Sequence, residues 1–311
     1  MGASRAAIGV VVILVTVGAC GGAAGTPATS STPSTPAVSS TPGASPSPSS
    51  AYFKDDVDIG GGRHLRLECE GSGQPTVLFD AGLGTGLGTW ERVREEVGKT
   101  TRACAYDRAG IGQSSHQSGT KTVEDVVGDL EALIAAAPIE TPFVYVGHSV
   151  SGLSLRLFAG KHRDQLAGEV YVDPAVPHQP DEILAVVPPK TAGEDPRMGQ
   201  LRATWTGWPE PGLTSEHYDI DASEAAVDAV TSFGDLPVIV LTAGDMGISD
   251  MPQGVRSKVE SKWFELHQRL ADMSTKGEHE LIKDAAHSIQ DHRPDAVIAA
   301  VLKVVEAARG R

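Results

Sequence analysis

Positive charge is scarce in this 311-residue chain: 26 lysines and arginines face 40 aspartates and glutamates. Arg5 is the sole charge before position 51, so the remainder carries a net −15. A surface that acidic repels phosphate, which argues against nucleic acid as a partner. Long apolar runs are scarcer still. The longest uncharged apolar stretch, Ala6 to Ala19, is fourteen residues and falls short of the roughly 30 Å of hydrocarbon that a spanning helix must cross. Cysteine occurs three times, at 20, 69 and 104, too rarely for a disulfide scaffold in a chain of this length. The ten histidines include no His-Glu-x-x-His, and His287 and His292 have no third ligand nearby in the sequence, so no metal site is expected. The glycine run 82–88 holds no Gly-x-Gly-x-x-Gly register, and Gly98-Lys99-Thr100 has Val93 where a phosphate loop needs glycine; no nucleotide cofactor is implied. With 40% apolar residues, what remains is a soluble globular protein with a biased N-terminal segment.

That segment has three parts. Residues 1–19, with Arg5 ahead of a Val11-Val12-Ile13-Leu14-Val15 centre, read as a secretory signal peptide. Val17-Gly18-Ala19-Cys20 resembles the lipobox of bacterial lipoproteins, which implies Cys20 as a lipid anchor to the membrane; the alternative is ordinary cleavage after small residues and secretion. Residues 21–50 contain no charge and little but Pro, Ser, Thr, Gly and Ala, so they bury too little apolar surface to offset ordering and read as a disordered tether. The globular domain is expected over 51–311.

Within it, short Val-rich runs alternate with helix-like ones. Strands are expected at Leu65 to Cys69, Thr76 to Asp80, Arg102 to Asp107, Phe143 to Gly147, Glu169 to Asp173, Val238 to Ala243 and His279 to Lys283. Most lack polar alternation, as strands covered on both faces do. A Thr122-x-x-Asp125 capping box opens one helix, Pro294 opens another, and Lys258 to Met273 has helical spacing. Repeated strand–helix units imply an α/β fold with a doubly wound, mostly parallel sheet. The Pro-rich stretch 174–235 breaks the rhythm and reads as a small lid insertion, with Trp205, Trp208 and Phe233 available to line an apolar pocket.

Chemistry concentrates where Phe143 to Val146 runs into Gly147-His148-Ser149-Val150-Ser151-Gly152 and a helix-compatible stretch: strand, tight turn, helix, with a serine at the apex. With Asp107-Arg108-Ala109-Gly110-Ile111-Gly112-Gln113-Ser114 and the strand and loop Val77 to Gly84, this resembles the α/β-hydrolase superfamily over roughly residues 52–311. Two positions depart from its pattern, Ser151 for the second glycine of the elbow and Ala81 for the common histidine of the loop.

The resemblance implies Ser149 as nucleophile, His287 as base, and the Leu83 and Val150 N–H groups as an oxyanion hole. It leaves the acid open between Asp173, Asp245 and Asp250, with Asp173 favoured at a strand tip, where Pro174 biases it towards extended backbone. It also sets the Cys69 strand antiparallel beside the Cys104 strand, which implies a Cys69–Cys104 disulfide. The implied activity is that of an extracytoplasmic serine esterase or lipase acting on a small-molecule or lipid ester, with no cofactor. Alternatives are an aminopeptidase-like hydrolase or a weakly catalytic envelope-binding lipoprotein.

Overall fold

The computed structural model describes residues 52–116, 118–207 and 214–310. The signal peptide, Cys20, the tether and Trp208 lie outside the described residues. Eight strands, β1 (Tyr52–Gly60), β2 (Arg63–Glu70), β3 (Val77–Asp80), β4 (Ala103–Tyr106), β5 (Phe143–His148), β6 (Leu166–Val172), β7 (Val238–Asp245) and β8 (Gly277–Ala286), form one sheet in the order β1-β2-β4-β3-β5-β6-β7-β8. β2 runs antiparallel to β1 and β4, and β4 through β8 are parallel. This is the doubly wound, mostly parallel sheet that the Val-rich runs imply.

The central strands β3 to β6 are buried along their whole length because their pleats feed two separate cores. Alternate residues Leu78, Cys104, Tyr145 and Tyr171 join helices α2 (Val123–Ala136), α3 (Ser151–Lys161) and α7 (Gln253–Ala271). Their neighbours Phe79, Ala105, Val146 and Val170 face α1 (Glu91–Gly98) and α9 (Pro294–Arg309). The Thr122 capping box opens α2: the Asp125 N–H donates to Thr122 Oγ1 and the Thr122 N–H to Asp125 Oδ2. A four-residue α8 (Ile289–His292) precedes α9.

Sequence periodicity passes over two elements. β1 carries charge at Lys54, Asp55, Asp56 and Asp58 and buries only Val57, the mark of an edge strand. α1 is mostly polar and buries Val93, Arg94 and Val97. Between β6 and β7, the 174–235 stretch folds as α4 (Gln179–Val186), α5 (Pro196–Thr206) and the short α6 (Glu224–Asp228). Phe233 is fully buried and stacks on Tyr171 in the core instead of lining a pocket. Among the described residues no helix is long and apolar enough to cross a membrane.

The site-bearing edge follows from the strand order. β4 and β5 lie on opposite sides of β3, so the chain leaving β3 and the chain leaving β5 diverge and open a crevice at their carboxyl ends. On the other side of β4, Cys69 and Cys104 are directly opposed in register and joined by a disulfide, Sγ–Sγ 2.10 Å.

This bridge closes a loop with sequence separation 35, so loop-closure entropy assigns it about 4 kcal/mol. Replacing both cysteines by alanine is expected to lower the urea unfolding free energy by that order, and non-reducing peptide maps of the oxidised protein are expected to show no free thiol at either position.

Candidate active site

β5 ends in a turn whose geometry the flanking residues impose. Ser149 sits at φ +54°, left-handed backbone that a serine adopts only under constraint. Two hydrogen bonds from the neighbouring strand tip supply it: the Ser149 N–H donates to Val172 O at 3.1 Å, and its carbonyl accepts from the Ala175 N–H at 2.7 Å. The need for small residues is steric. A Cβ on Gly147 would stand 2.5 Å from Leu155 Cδ1, and one on Gly152 2.7 Å from the Ala175 carbonyl. Position 151 tolerates its serine because the hydroxyl has a place, donating to Ala81 O at 2.5 Å.

Around this turn the structure brings together three of the expected site residues. Ser149 Oγ lies 3.0 Å from His287 Nε2, and His287 Nδ1 lies 2.7 Å from Asp173 Oδ2. A carboxylate only accepts, so the Nδ1 proton belongs to His287 and Nε2 is left bare to take the serine proton. Asp173 does not keep the extended backbone that its proline neighbour suggests: its φ is +42°. The bonds that hold it there are the Asp173 N–H to Leu241 O and, on Oδ1, the donors Ala243 N–H at 2.9 Å and Trp263 Nε1–H at 3.0 Å.

Burial pushes the Asp173 carboxyl up, but the His287 hydrogen bond and the positive charge available on His267 and His287 bring it below its ordinary value. The other acid candidates lie elsewhere. Asp245 is exposed and caps its own turn through the Gly247 N–H, and Asp250 is exposed 3.7 Å from Arg197. His292, on α8, binds the Ser288 carbonyl at that helix's N-cap.

The loops expected to supply oxyanion donors flank the serine. Val150 follows it directly, and Gly82, next to Leu83, approaches so closely that a Cβ there would stand 3.5 Å from Ser149 Cβ. A cleft of about 220 Å³ opens at Ser149 and His287, walled by Trp205, Trp263, Met246 and Ala175, with Gln179 and Thr204 as polar points. Among the described residues no cluster of three or more His, Cys, Asp or Glu side chains is placed to hold a metal.

Several site residues escape sequence reasoning. His148 donates from Nε2 to the His287 carbonyl at 3.1 Å, and its ring lies 4.6 Å from the His287 ring. Trp263 reads in the sequence as helix core, yet its indole N–H is a ligand of the acid. Arg108 and Glu216 join a buried ion network behind the Gly82 loop, and only the Asp107-Arg108 motif hints at it.

The fold agrees with the comparisons to known proteins. The sequence model of the alpha/beta hydrolase family matches residues 77–300, and the chain belongs to that family. It is 25% identical to the uncharacterized protein YqjL of Bacillus subtilis over 256 residues, 82% of this chain and 93% of that one. In fold it is similar to a thermophilic esterase from Thermogutta terrifontis (TM-score 0.55, 21% identity, 83% of this chain and 99% of that one). It is similar also to the enol-lactonase from Burkholderia xenovorans LB400 (TM-score 0.56, 18% identity, 80% and 99%). The protein is therefore a hydrolase by family.

His148 gives the site a stability signature. Burial, with His287 beside it, lowers its pKa from 6.5 to about 3. As the pH falls below 6.5 the unfolded chain takes up a proton that the folded one refuses, so this group lowers stability by about 1.4 kcal/mol per pH unit between roughly 6 and 4. Urea titrations at pH 7, 5 and 4 are expected to show a shallower decline for His148→Gln than for wild type; parallel curves would contradict a buried neutral imidazole.

Proposed function

We propose that the chain is an extracytoplasmic serine hydrolase that cleaves carboxylic esters through an acyl-enzyme on Ser149. The observation that carries this reading is the continuous hydrogen-bond chain from Ser149 Oγ through His287 to Asp173, opening on the cleft between Trp205 and Trp263. His287 Nε2 takes the Ser149 proton as Oγ attacks the ester carbonyl, and the Leu83 and Val150 N–H groups receive the developing oxyanion. The imidazolium then protonates the leaving alkoxide, while Asp173 keeps Nδ1–H in place and stabilises the positive ring. Water, deprotonated by the same histidine, releases the acid. Gln179 and Thr204 are the cleft's polar points, and the walls suit an apolar acyl or alkyl group.

A serine at the elbow favours acyl transfer over dehalogenation or epoxide opening, which use a carboxylate nucleophile in this superfamily. The 174–235 segment acts as a lid, contributing Ala175, Gln179, Thr204 and Trp205 to the cleft. Location rests on the sequence of residues 1–50, with Cys20 as the proposed lipid anchor.

Hydrolysis of p-nitrophenyl butyrate tests the reading. Ser149→Ala and His287→Ala are expected to lose about 10⁴-fold or more in kcat, Asp173→Asn about 10²- to 10⁴-fold, and Asp245→Asn less than about twofold. A Ser149→Ala variant that retains activity within tenfold would sink the assignment. Faster turnover of the matching p-nitroanilide would transfer it to a peptidase.

A further inference from the structure

The segment that covers the site also reaches beneath it. After α5 the chain returns to the core along residues 214–219, stitched there by bonds on both sides. Ser215 Oγ donates to Gly110 O at 2.7 Å, the Lys121 N–H donates to His217 O at 3.0 Å, and the Asp219 N–H donates to Lys121 O at 2.8 Å. This path drives Glu216 into the interior, where its side chain is fully buried. One carboxylate there accepts from Arg108 Nε at 2.7 Å, Arg108 Nη2 at 3.0 Å and the backbone N–H of Gly84 at 2.7 Å, with Lys121 Nζ at 3.4 Å. Asp80, at the tip of β3, takes Arg108 Nη1 and the Tyr145 hydroxyl. Two carboxylates and two cations thus compensate one another. Burial pushes the Glu216 carboxyl up, and the Arg108 guanidinium more than reverses it, so Glu216 stays ionised.

Much of this network falls on four residues, 81–84. Arg108 Nη1 and Ser151 Oγ both donate to the Ala81 carbonyl, and Arg108 Nη2 donates to the Gly82 carbonyl at 2.8 Å. Glu216 fixes the other end through the Gly84 N–H. In a trans peptide the C=O and the following N–H point in opposite directions. Holding the Gly82 carbonyl on Arg108 therefore turns the Leu83 N–H away from Arg108, and a peptide flip would put a carbonyl where a donor is needed. Both departures from the superfamily pattern, Ala81 and Ser151, sit at this junction.

We propose that Glu216 is a positioning residue for the oxyanion hole: from the lid segment, acting through Arg108 and assisted by Ser151, it locks the Gly82–Leu83 peptide with its N–H available to the reacting carbonyl oxygen. The proposal rests on the reading of Ser149 as an acylated nucleophile. It makes the lid segment part of the catalytic framework as well as its cover, so that loosening the lid's return limb disorders the oxyanion loop.

The test uses the full chain, with the fraction of competent sites counted by stoichiometric phosphonylation, so that misfolded protein drops out of the comparison. Glu216→Gln keeps the size and removes the charge that orients Arg108. Per titrated site its kcat for p-nitrophenyl butyrate is expected to fall about 10- to 100-fold, a partial loss of one oxyanion donor. KM should stay within threefold, and a trifluoromethyl ketone inhibitor, which mimics the oxyanion, should weaken in the same ratio as kcat. The shape of the kcat/KM pH profile should not change, because the substitution does not touch the Ser149–His287–Asp173 chain. Ser151→Gly, a milder change, should shift kcat and ketone affinity in the same direction by about three- to tenfold, and it decides the matter if Glu216→Gln does not fold. Variants within twofold of wild type in kcat per site and in ketone affinity would overturn the proposal alone. A folded wild type that neither titrates nor hydrolyses esters would overturn the serine hydrolase reading with it.

Discussion

The tips of β5 and β6 are locked to each other, and the site depends on that lock. Two adjacent strands each end in a non-glycine residue with left-handed backbone, Ser149 and Asp173, at a cost of order 1–3 kcal/mol apiece. The backbone bonds Ser149 N–H to Val172 O and Ala175 N–H to Ser149 O tie the two turns together, so neither can relax without the other. The strain holds the serine hydroxyl and the carboxylate at the two ends of one imidazole. Glycine at 147 and 152 is the steric condition for this lock, since leucine and backbone atoms occupy the space a Cβ would need.

Around the lock, buried polar groups fall into two electrostatic classes. Asp173 and Glu216 are buried but surrounded by donors, and both remain ionised. His148 is buried with a single carbonyl partner among the described residues and is held neutral. The difference is in what favours the charged form: the Arg108 charge at Glu216 and the His287 hydrogen bond at Asp173 outweigh burial, whereas His148 has His287 beside it and one carbonyl. In the proposed reaction, a neutral His148 puts no second positive charge beside His287 when that ring accepts the serine proton.

How much was legible in the sequence varied by element for physical reasons. Parallel strands buried on both faces need runs of Val and aromatic residues, so β3 to β7 could be placed to within a few residues. β1 and α1 could not, because an edge strand and a one-sided helix expose most of their length and carry ordinary polar sequence. Ser149 and His287 were singled out by the superfamily resemblance of the segments after β5 and β8, and the structure sets them 3.0 Å apart. Asp173 was one of three candidates: local spacing says nothing about which loop His287 faces, and the structure distinguishes it by a 2.7 Å contact while leaving Asp245 in its own turn. Phe233 was misjudged because aromatic composition alone does not separate core from cleft. Glu216 was invisible, since its hydrogen-bond partners Arg108 and Gly84 lie more than a hundred residues away and an isolated glutamate in a loop reads as solvated.

The proposed chemistry is covalent: the serine held in the strained turn becomes the nucleophile. The direct measurement is the site of reaction with diethyl p-nitrophenyl phosphate, read by p-nitrophenol release and mass-spectrometric mapping of the modified peptide. The account predicts one equivalent of p-nitrophenol per folded chain and a diethylphosphoryl group on Ser149, both abolished in Ser149→Ala. An adduct on another residue, or no adduct on the folded protein at millimolar reagent, would contradict it.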